Sequence, residues 1–116
     1  LFTVQTNSEK IKLVRLTVKD LGFPRGATTQ EIFDKAKTLG LDLCPAEVGP
    51  QLRLQYENQP IGEWFYIAMK QISAPGGNPR VFGLGRSEDS LWLGDSWASP
   101  GGRWGPGLGF LFLLRK

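Results

Sequence analysis

The most informative absence in this 116-residue sequence is histidine, which occurs at no position. Without histidine, Ser-His-Asp and Cys-His nucleophile systems are excluded, and so are most zinc and iron sites. The 11 Asp and Glu residues are scattered, and the one adjacent pair, Glu88-Asp89, lies in a predicted turn. The glycine pair at 83 and 85 lacks the third glycine and the following helix of a nucleotide-binding motif. The sequence therefore predicts no cofactor and no metal, and it favours a non-catalytic role over an enzyme with an unrecognised pocket.

Cysteine is scarce as well, since Cys44 is the single one. A lone cysteine cannot form an internal disulfide, so we expect a cytoplasmic protein with Cys44 as a buried structural thiol. No run reaches the roughly 18–20 apolar residues that span a bilayer, and no signal peptide is visible. The most apolar stretch, 108–114, predicts a buried strand. We therefore expect no contact with a membrane.

Net charge is the third scarce property, because 14 Lys and Arg against 11 Asp and Glu leave only +3. No basic cluster of the kind that binds nucleic acid stands out, so a nucleic-acid partner is not favoured. The length and a 41% hydrophobic content predict a single globular domain over 1–116. Because the chain begins at Leu1 rather than Met, residues 1–8 are expected to be a disordered end or foreign to the natural protein.

The clearest structural signal is a helix over 29–39. Thr28 and Glu31 form the T-x-x-E pattern of a capping box, apolar residues follow at helical spacing, and Gly40 is placed to end the helix. Residues 42–56 are ambiguous between a short helix and a strand. Strands are predicted by β-branched, aromatic and alternating apolar residues over the ranges 10–19, 63–72, 80–86, 91–93 and 108–115.

This order of elements predicts an α+β fold. Consecutive hairpins favour an antiparallel sheet of about four or five strands, with one or two helices packed on one face. If the terminal strand lay at a sheet edge, its unpaired backbone groups would favour a homodimer. One alternative is a winged-helix DNA-binding protein, with 28–54 as a helix-turn-helix. Gly49-Pro50 interrupts its would-be recognition helix, and Arg53 is the one cation there, so a helix packed on a sheet is preferred.

The segment 94–107 is predicted to be a long loop rich in glycine and proline, and such loops are often functional. It carries Trp97, Arg103 and Trp104, and Trp and Arg are the residues most enriched at binding hot spots. Tyr66 on a neighbouring strand is placed to complete the surface. We therefore predict a non-catalytic module that binds a small molecule or a protein through these four residues. The alternative is that the tryptophans close an open end of the sheet.

Most of the chain from about residue 13 onward resembles a group of small bacterial proteins of uncharacterised function. The likeness lies in DLGFPRGATTQEIFDKAKTLGLDLCPAEVGPQLRLQY, GEWFYIAMKQI, RVFGLGR and LWL. It implies a bacterial cytoplasmic protein, with carriage on mobile DNA as a further expectation. It brings no activity, cofactor or catalytic residue with it.

Overall fold

The structure is a computed structural model that describes residues 2–5, 10–70, 72–73, 79–98 and 101–114. Within these ranges the chain forms ten strands and two helices. In chain order they are β1 (Phe2–Gln5), β2 (Lys10–Thr17), β3 (Ala27–Thr28), α1 (Thr29–Thr38), β4 (Leu41–Asp42), α2 (Val48–Gln55), β5 (Trp64–Ile67), β6 (Ile72–Ser73), β7 (Pro79–Arg86), β8 (Leu91–Trp97), β9 (Arg103–Trp104) and β10 (Gly109–Leu114).

Eight of the strands in the described ranges form one sheet, whose main path runs β1-β2-β10-β5-β7-β6. β4 also pairs with β10, β8 pairs with β7, and β3 and β9 form a separate two-stranded sheet. β10 and β5 run parallel, whereas the other named strand pairs are antiparallel. The predicted α+β class is confirmed. The prediction of a purely antiparallel sheet is wrong, because the last strand returns to the centre of the sheet and runs parallel to β5. The predicted number of strands is too low, because strands of two residues show no alternation of apolar and polar residues in the sequence.

β10 lies in the middle of this sheet. One side pairs with β2, and the other side pairs with β5 and then β4. The strand is apolar at nearly every position because both of its faces are covered, as in other buried strands. The homodimer predicted through this terminal strand therefore loses its basis, since β10 has no free edge.

The predicted helix 29–39 is confirmed, with α1 ending one residue earlier. Thr28 Oγ1 accepts the N–H of Glu31 at 3.2 Å, and Glu31 Oε1 accepts the N–H of Thr28 at 2.9 Å, so the capping box is complete. Gly40 follows with a φ of +79°, a conformation that glycine adopts without strain. α1 packs on the sheet face of Phe110, whose ring meets the edge of Phe33 at 6.5 Å.

α2 resolves the ambiguity of residues 42–56 in favour of a helix. Pro50 falls in its first turn, where the backbone N–H has no acceptor within the helix, so proline is tolerated there. Phe82 packs on Gly49, which places α2 on the sheet face opposite α1. The prediction that the helices share one face is therefore wrong. α2 also lies near both β1 and β8, which stand at opposite ends of the sheet, so the sheet curls around it.

The start of the chain takes part in the sheet, because β1 pairs with β2 from Phe2 opposite Leu13 to Gln5 opposite Lys10. The expectation that residues 1–8 are a disordered end or foreign to the natural protein stays a prediction, although residues 2–5 form β1. The outer edge of β2 accepts them as a hairpin partner, and residues 1 and 6–9 lie outside the described ranges. Within the described residues, no helix is both long enough and apolar enough to cross a membrane.

Candidate functional site

One sheet face has glycine at three positions of β7 and β8, which we call the glycine floor. Gly83 and Gly94 stand opposite each other in the register, and Gly85 stands between Trp64 of β5 and Trp92 of β8. The Trp64 ring lies directly on the backbone of Gly83 and Gly85. A Cβ at Gly83 would come within 2.6 Å of the Trp64 Cζ2 atom, and a Cβ at Gly85 would clash with the ring more severely. Glycine at these positions therefore lets the indole lie on the backbone.

The same face carries a row of aromatic rings that crosses the sheet. Ring centroids are 4.5 Å apart between Trp92 and Trp64, 5.4 Å between Trp64 and Tyr66, and 4.8 Å between Tyr66 and Trp104. Trp104 in turn meets Phe110 at 4.9 Å. The two ends differ in environment, because Trp104 is 6% exposed and Trp92 is 45% exposed. The row therefore connects the core to an accessible surface.

The buried end of the row fastens the segment after β8 to α1. The Trp104 indole Nε1–H donates to Thr29 Oγ1 at 2.7 Å, and the Thr29 N–H donates to the Gly102 carbonyl at 2.9 Å. Gly26 lies against the Trp104 carbonyl with no room for a Cβ. Trp104 therefore has a structural role at the start of α1, and its predicted binding role stays a prediction.

The other residues predicted for the site are spread across the fold. Tyr66 is packed against Trp104, whereas Arg103 is exposed on β9. Trp97 ends β8 opposite Arg80, and its side chain lies outside the described part of the structure. The segment 94–107 is not one loop, because β8 continues through its first four residues and β9 pairs with β3. Cross-strand pairing overrides the weak strand propensity of its glycines.

The outer edge of β8 is free within the part of the chain that the structure describes. The Arg86 N–H donates to the Glu63 carbonyl at 3.2 Å, and its carbonyl accepts the Gly62 N–H at 2.8 Å. Arg86 therefore directs its backbone groups away from β8. Because direction alternates along an antiparallel ladder, the N–H and C=O groups of Leu91 and Leu93 point outward from β8. This edge offers unpaired groups to an additional strand.

Exposed apolar side chains lie on that edge. Leu91 and Trp92 are both in β8, and both are exposed large apolar residues. Arg53 of α2 lies close to them, because its Nη1 donates to the Trp92 carbonyl at 3.3 Å. We call this surface the β8 patch, and its members are Leu91 and Trp92. Such exposed apolar surface is typical of interaction sites. Sequence reasoning missed the patch, although the glycines at 83, 85 and 94 on either side of Trp92 were a signal.

A polar network that includes Arg53 of α2 lies on the sheet face that α2 covers, and it holds the elements next to the β8 patch in place. Arg53 donates to the Gln59 side-chain oxygen and to the Tyr56 carbonyl, both at 2.6 Å. The buried Gln59 amide donates to the carbonyls of Glu63 at 3.2 Å and Leu84 at 3.4 Å. Burial lowers the pKa of Arg53 from its ordinary value. These bonds fix the end of α2 and the following turn against β5 and β7.

A second set of contacts extends this network to β2. The Tyr56 hydroxyl donates to Glu63 Oε1 at 2.9 Å, and Arg15 forms an ion pair with Glu63 Oε2 at 3.0 Å. Burial, followed by the bond to Glu63, raises the pKa of Tyr56. The carboxylate is therefore shared between a phenol and a guanidinium, and these contacts join β2, the residue after α2 and the residue before β5. These contacts of Tyr56, Glu63 and Arg15 have a structural role. They help to hold the elements next to the β8 patch in position.

Two further kinds of functional group, the Cys44 thiol and possible metal ligands, show no arrangement for catalysis in the described residues. Cys44 is buried, and its thiol donates to the Leu111 carbonyl at 3.5 Å. Burial raises its pKa to about 12, so the reactive thiolate is disfavoured at neutral pH. Among the described residues, no group of three or more His, Cys, Asp or Glu side chains is arranged to hold a metal ion.

The two helices are arranged differently from a helix-turn-helix. Residues 39–47 separate α1 from α2 and include β4, which pairs with β10. A helix-turn-helix uses a turn of about three or four residues. Arg53, the cation of α2, bonds within the fold. No observation in the described residues therefore favours the DNA-binding alternative.

Comparison with known proteins adds no relative, because no protein-family model, no curated protein and no solved structure matches the chain. The resemblance to small bacterial proteins stays a prediction.

Proposed function

We propose that this protein is a non-catalytic interaction module that binds an extended polypeptide segment at the free edge of β8. The observation that carries the proposal is the coincidence of outward-pointing backbone groups at Leu91 and Leu93 with the exposed β8 patch. A strand added to such an edge gains affinity from main-chain hydrogen bonds and specificity from alternate side chains.

Trp92 supplies the side-chain part of this binding. Its indole is 45% exposed and stacks on Trp64 at 4.5 Å, so much of its ordering cost is met before a partner arrives. A rigid aromatic side chain gives a large contact area at low entropic cost. Trp92 and Leu91 lie on opposite sheet faces because they are adjacent in a strand. A bound segment therefore has an apolar contact on each face.

The proposal keeps part of the surface predicted from the sequence. Trp97 belongs to β8 and remains a candidate contact, and Tyr66 supports the Trp64 ring on which Trp92 stacks. Arg103 and Trp104 lie on β9 and not at this edge, so they stay predicted contacts. The cytoplasmic setting is also part of the proposal, and its support is the single cysteine at Cys44.

A titration with a model strand tests this function. The probe is a short synthetic peptide of alternating valine and threonine, added to dilute isotope-labelled protein and followed by amide chemical shifts. We expect the largest shifts at the amides of Leu91 and Leu93. Leu93→Pro should abolish them by removing an outward N–H, whereas the matched control Leu93→Ala keeps that donor and should still bind. Saturable shifts confined to another element, or no shifts on β8, would contradict the proposal.

A further inference from the structure

The edge of β8 has a pattern that is complementary to itself. We infer that the segment bound there is β8 of a second copy of this chain, in a two-fold dimer with Leu93 opposite Leu93 of the second copy. The inference rests on the proposed function, because it names the partner of the same edge.

Backbone direction permits this pairing. When an antiparallel strand pairs with its own copy about a two-fold axis, a centre at Leu93 puts Leu91 opposite Asp95 of the second copy. Leu91, Leu93 and Asp95 occupy alternate positions, so all three direct their backbone groups to the free edge. Every bond in the new ladder therefore has a donor and an acceptor, and the two sheets become one.

Side-chain size favours this register. Within one chain, Trp64, Gly85 and Trp92 are neighbours across three strands, so large and absent side chains alternate. A centre at Leu93 places Trp92 opposite Gly94 of the second copy, and by symmetry Gly94 opposite the other Trp92. Each Trp92 then lies opposite a position without a side chain, and beyond Gly94 the row continues to Gly83 of the same copy. A centre at Trp92 instead places two indoles opposite each other and breaks the pattern.

The centre of this pairing brings no like charges together. The side chains of Leu91, Trp92, Leu93 and Ser96 are uncharged, and the Asp95 positions of the two copies lie at opposite ends of the pairing. A second copy therefore fits the edge in size.

Engineered disulfides test the register. In the inferred dimer, Ser90 stands opposite Ser96 of the second copy, in a pair that lacks mutual backbone bonds and so brings the side chains close. The double variant Ser90→Cys with Ser96→Cys should form a covalent dimer on mild oxidation and revert on reduction. The matched control Glu88→Cys with Ser96→Cys pairs only in the Trp92-centred register and should stay uncrosslinked. Cys44 is buried and should not compete.

Light scattering tests the association itself. We expect a dimer mass for the natural chain and for Leu93→Ala, and at least a tenfold weaker association for Leu93→Pro. The Leu93 N–H points outward, so proline is tolerated in the monomer as at other edge strands, and circular dichroism verifies that the variant folds. A monomeric chain that still binds the valine–threonine peptide at β8 would overturn the inference and leave the proposed function intact. A dimer that is unaffected by Leu93→Pro would also overturn it. A monomer that binds no peptide would remove both.

Discussion

The two ends of the aromatic row show how one residue type acquires two roles. Trp104 and Trp92 both lie on strands and both touch other rings of the row. Trp104 is enclosed by Phe110, by Tyr66 and by Thr29, which accepts its indole N–H. Trp92 stacks on Trp64 and is otherwise open to solvent at the sheet edge. The difference lies in the neighbouring elements, because α1 covers one end and no described element covers the other.

The largest expected difference between the ends is in stability. Trp104→Ala removes a buried indole and leaves a cavity, which should cost about 3–5 kcal/mol of unfolding free energy. Trp92→Ala removes a half-exposed ring, so its cost should stay below about 1 kcal/mol. Urea denaturation of the two variants measures both values. Equal costs would show that Trp92 belongs to the core and would weaken the proposed surface.

The glycine floor offers the next test. Gly85→Ala places a Cβ in the space of the Trp64 ring, and overpacking of this kind costs about 1–3 kcal/mol. Gly94→Ala is the matched control, because its Cβ would meet Trp64 at 3.4 Å and Trp92 at 3.5 Å, near ordinary contact. The control should fold with almost unchanged stability in the same denaturation assay. It should weaken self-association, since it narrows the space for Trp92 of the second copy.

Loss of binding is expected at the exposed end alone. Trp92→Ala should weaken peptide binding by about 2 kcal/mol, the scale of a hot-spot residue. Leu39→Ala is a suitable control, because Leu39 is also an exposed apolar residue and lies outside the β8 patch, at the end of α1. Isothermal titration calorimetry measures the affinity of the Trp92→Ala and Leu39→Ala variants for the valine–threonine peptide. A similar loss for both variants would argue against a localised site.

The sequence predicted those parts of the fold that local signals determine. The T-x-x-E motif and Gly40 located α1, β-branched and alternating apolar residues located β2 and β7, and a continuous apolar run located β10. The position of β10 could not be predicted, because an apolar run does not tell which strands will flank it. β4, β6 and β9 have two residues each, so long-range pairing alone creates them.

The candidate site was predicted only in part. The sequence drew attention to the tryptophans of 94–107, but the exposure of each ring depends on which element covers it. Trp92 lies outside that segment, and the structure leaves it 45% exposed at an edge. Trp104 was assigned to a loop surface, and α1 buries it. A tryptophan therefore becomes interpretable only when the neighbouring strands are known.

The smallest expected effect concerns acid stability at the buried end. The hydrogen bond from the Thr28 backbone, aided by the Thr28 side chain and the charge of Arg103, lowers the pKa of Glu31 below its ordinary value of 4.5. A lowered folded-state pKa contributes stability above the unfolded pKa, and this contribution is lost as pH falls through the folded value. Glu31→Gln keeps the capping acceptor but removes the charge. The wild-type chain should therefore be slightly more stable than Glu31→Gln at pH 7, and the difference should disappear at a pH well below 4.5. Urea denaturation at both pH values measures it. A difference that persists in acid would show that the amide disturbs the capping geometry at the start of α1, against which Trp104 is held.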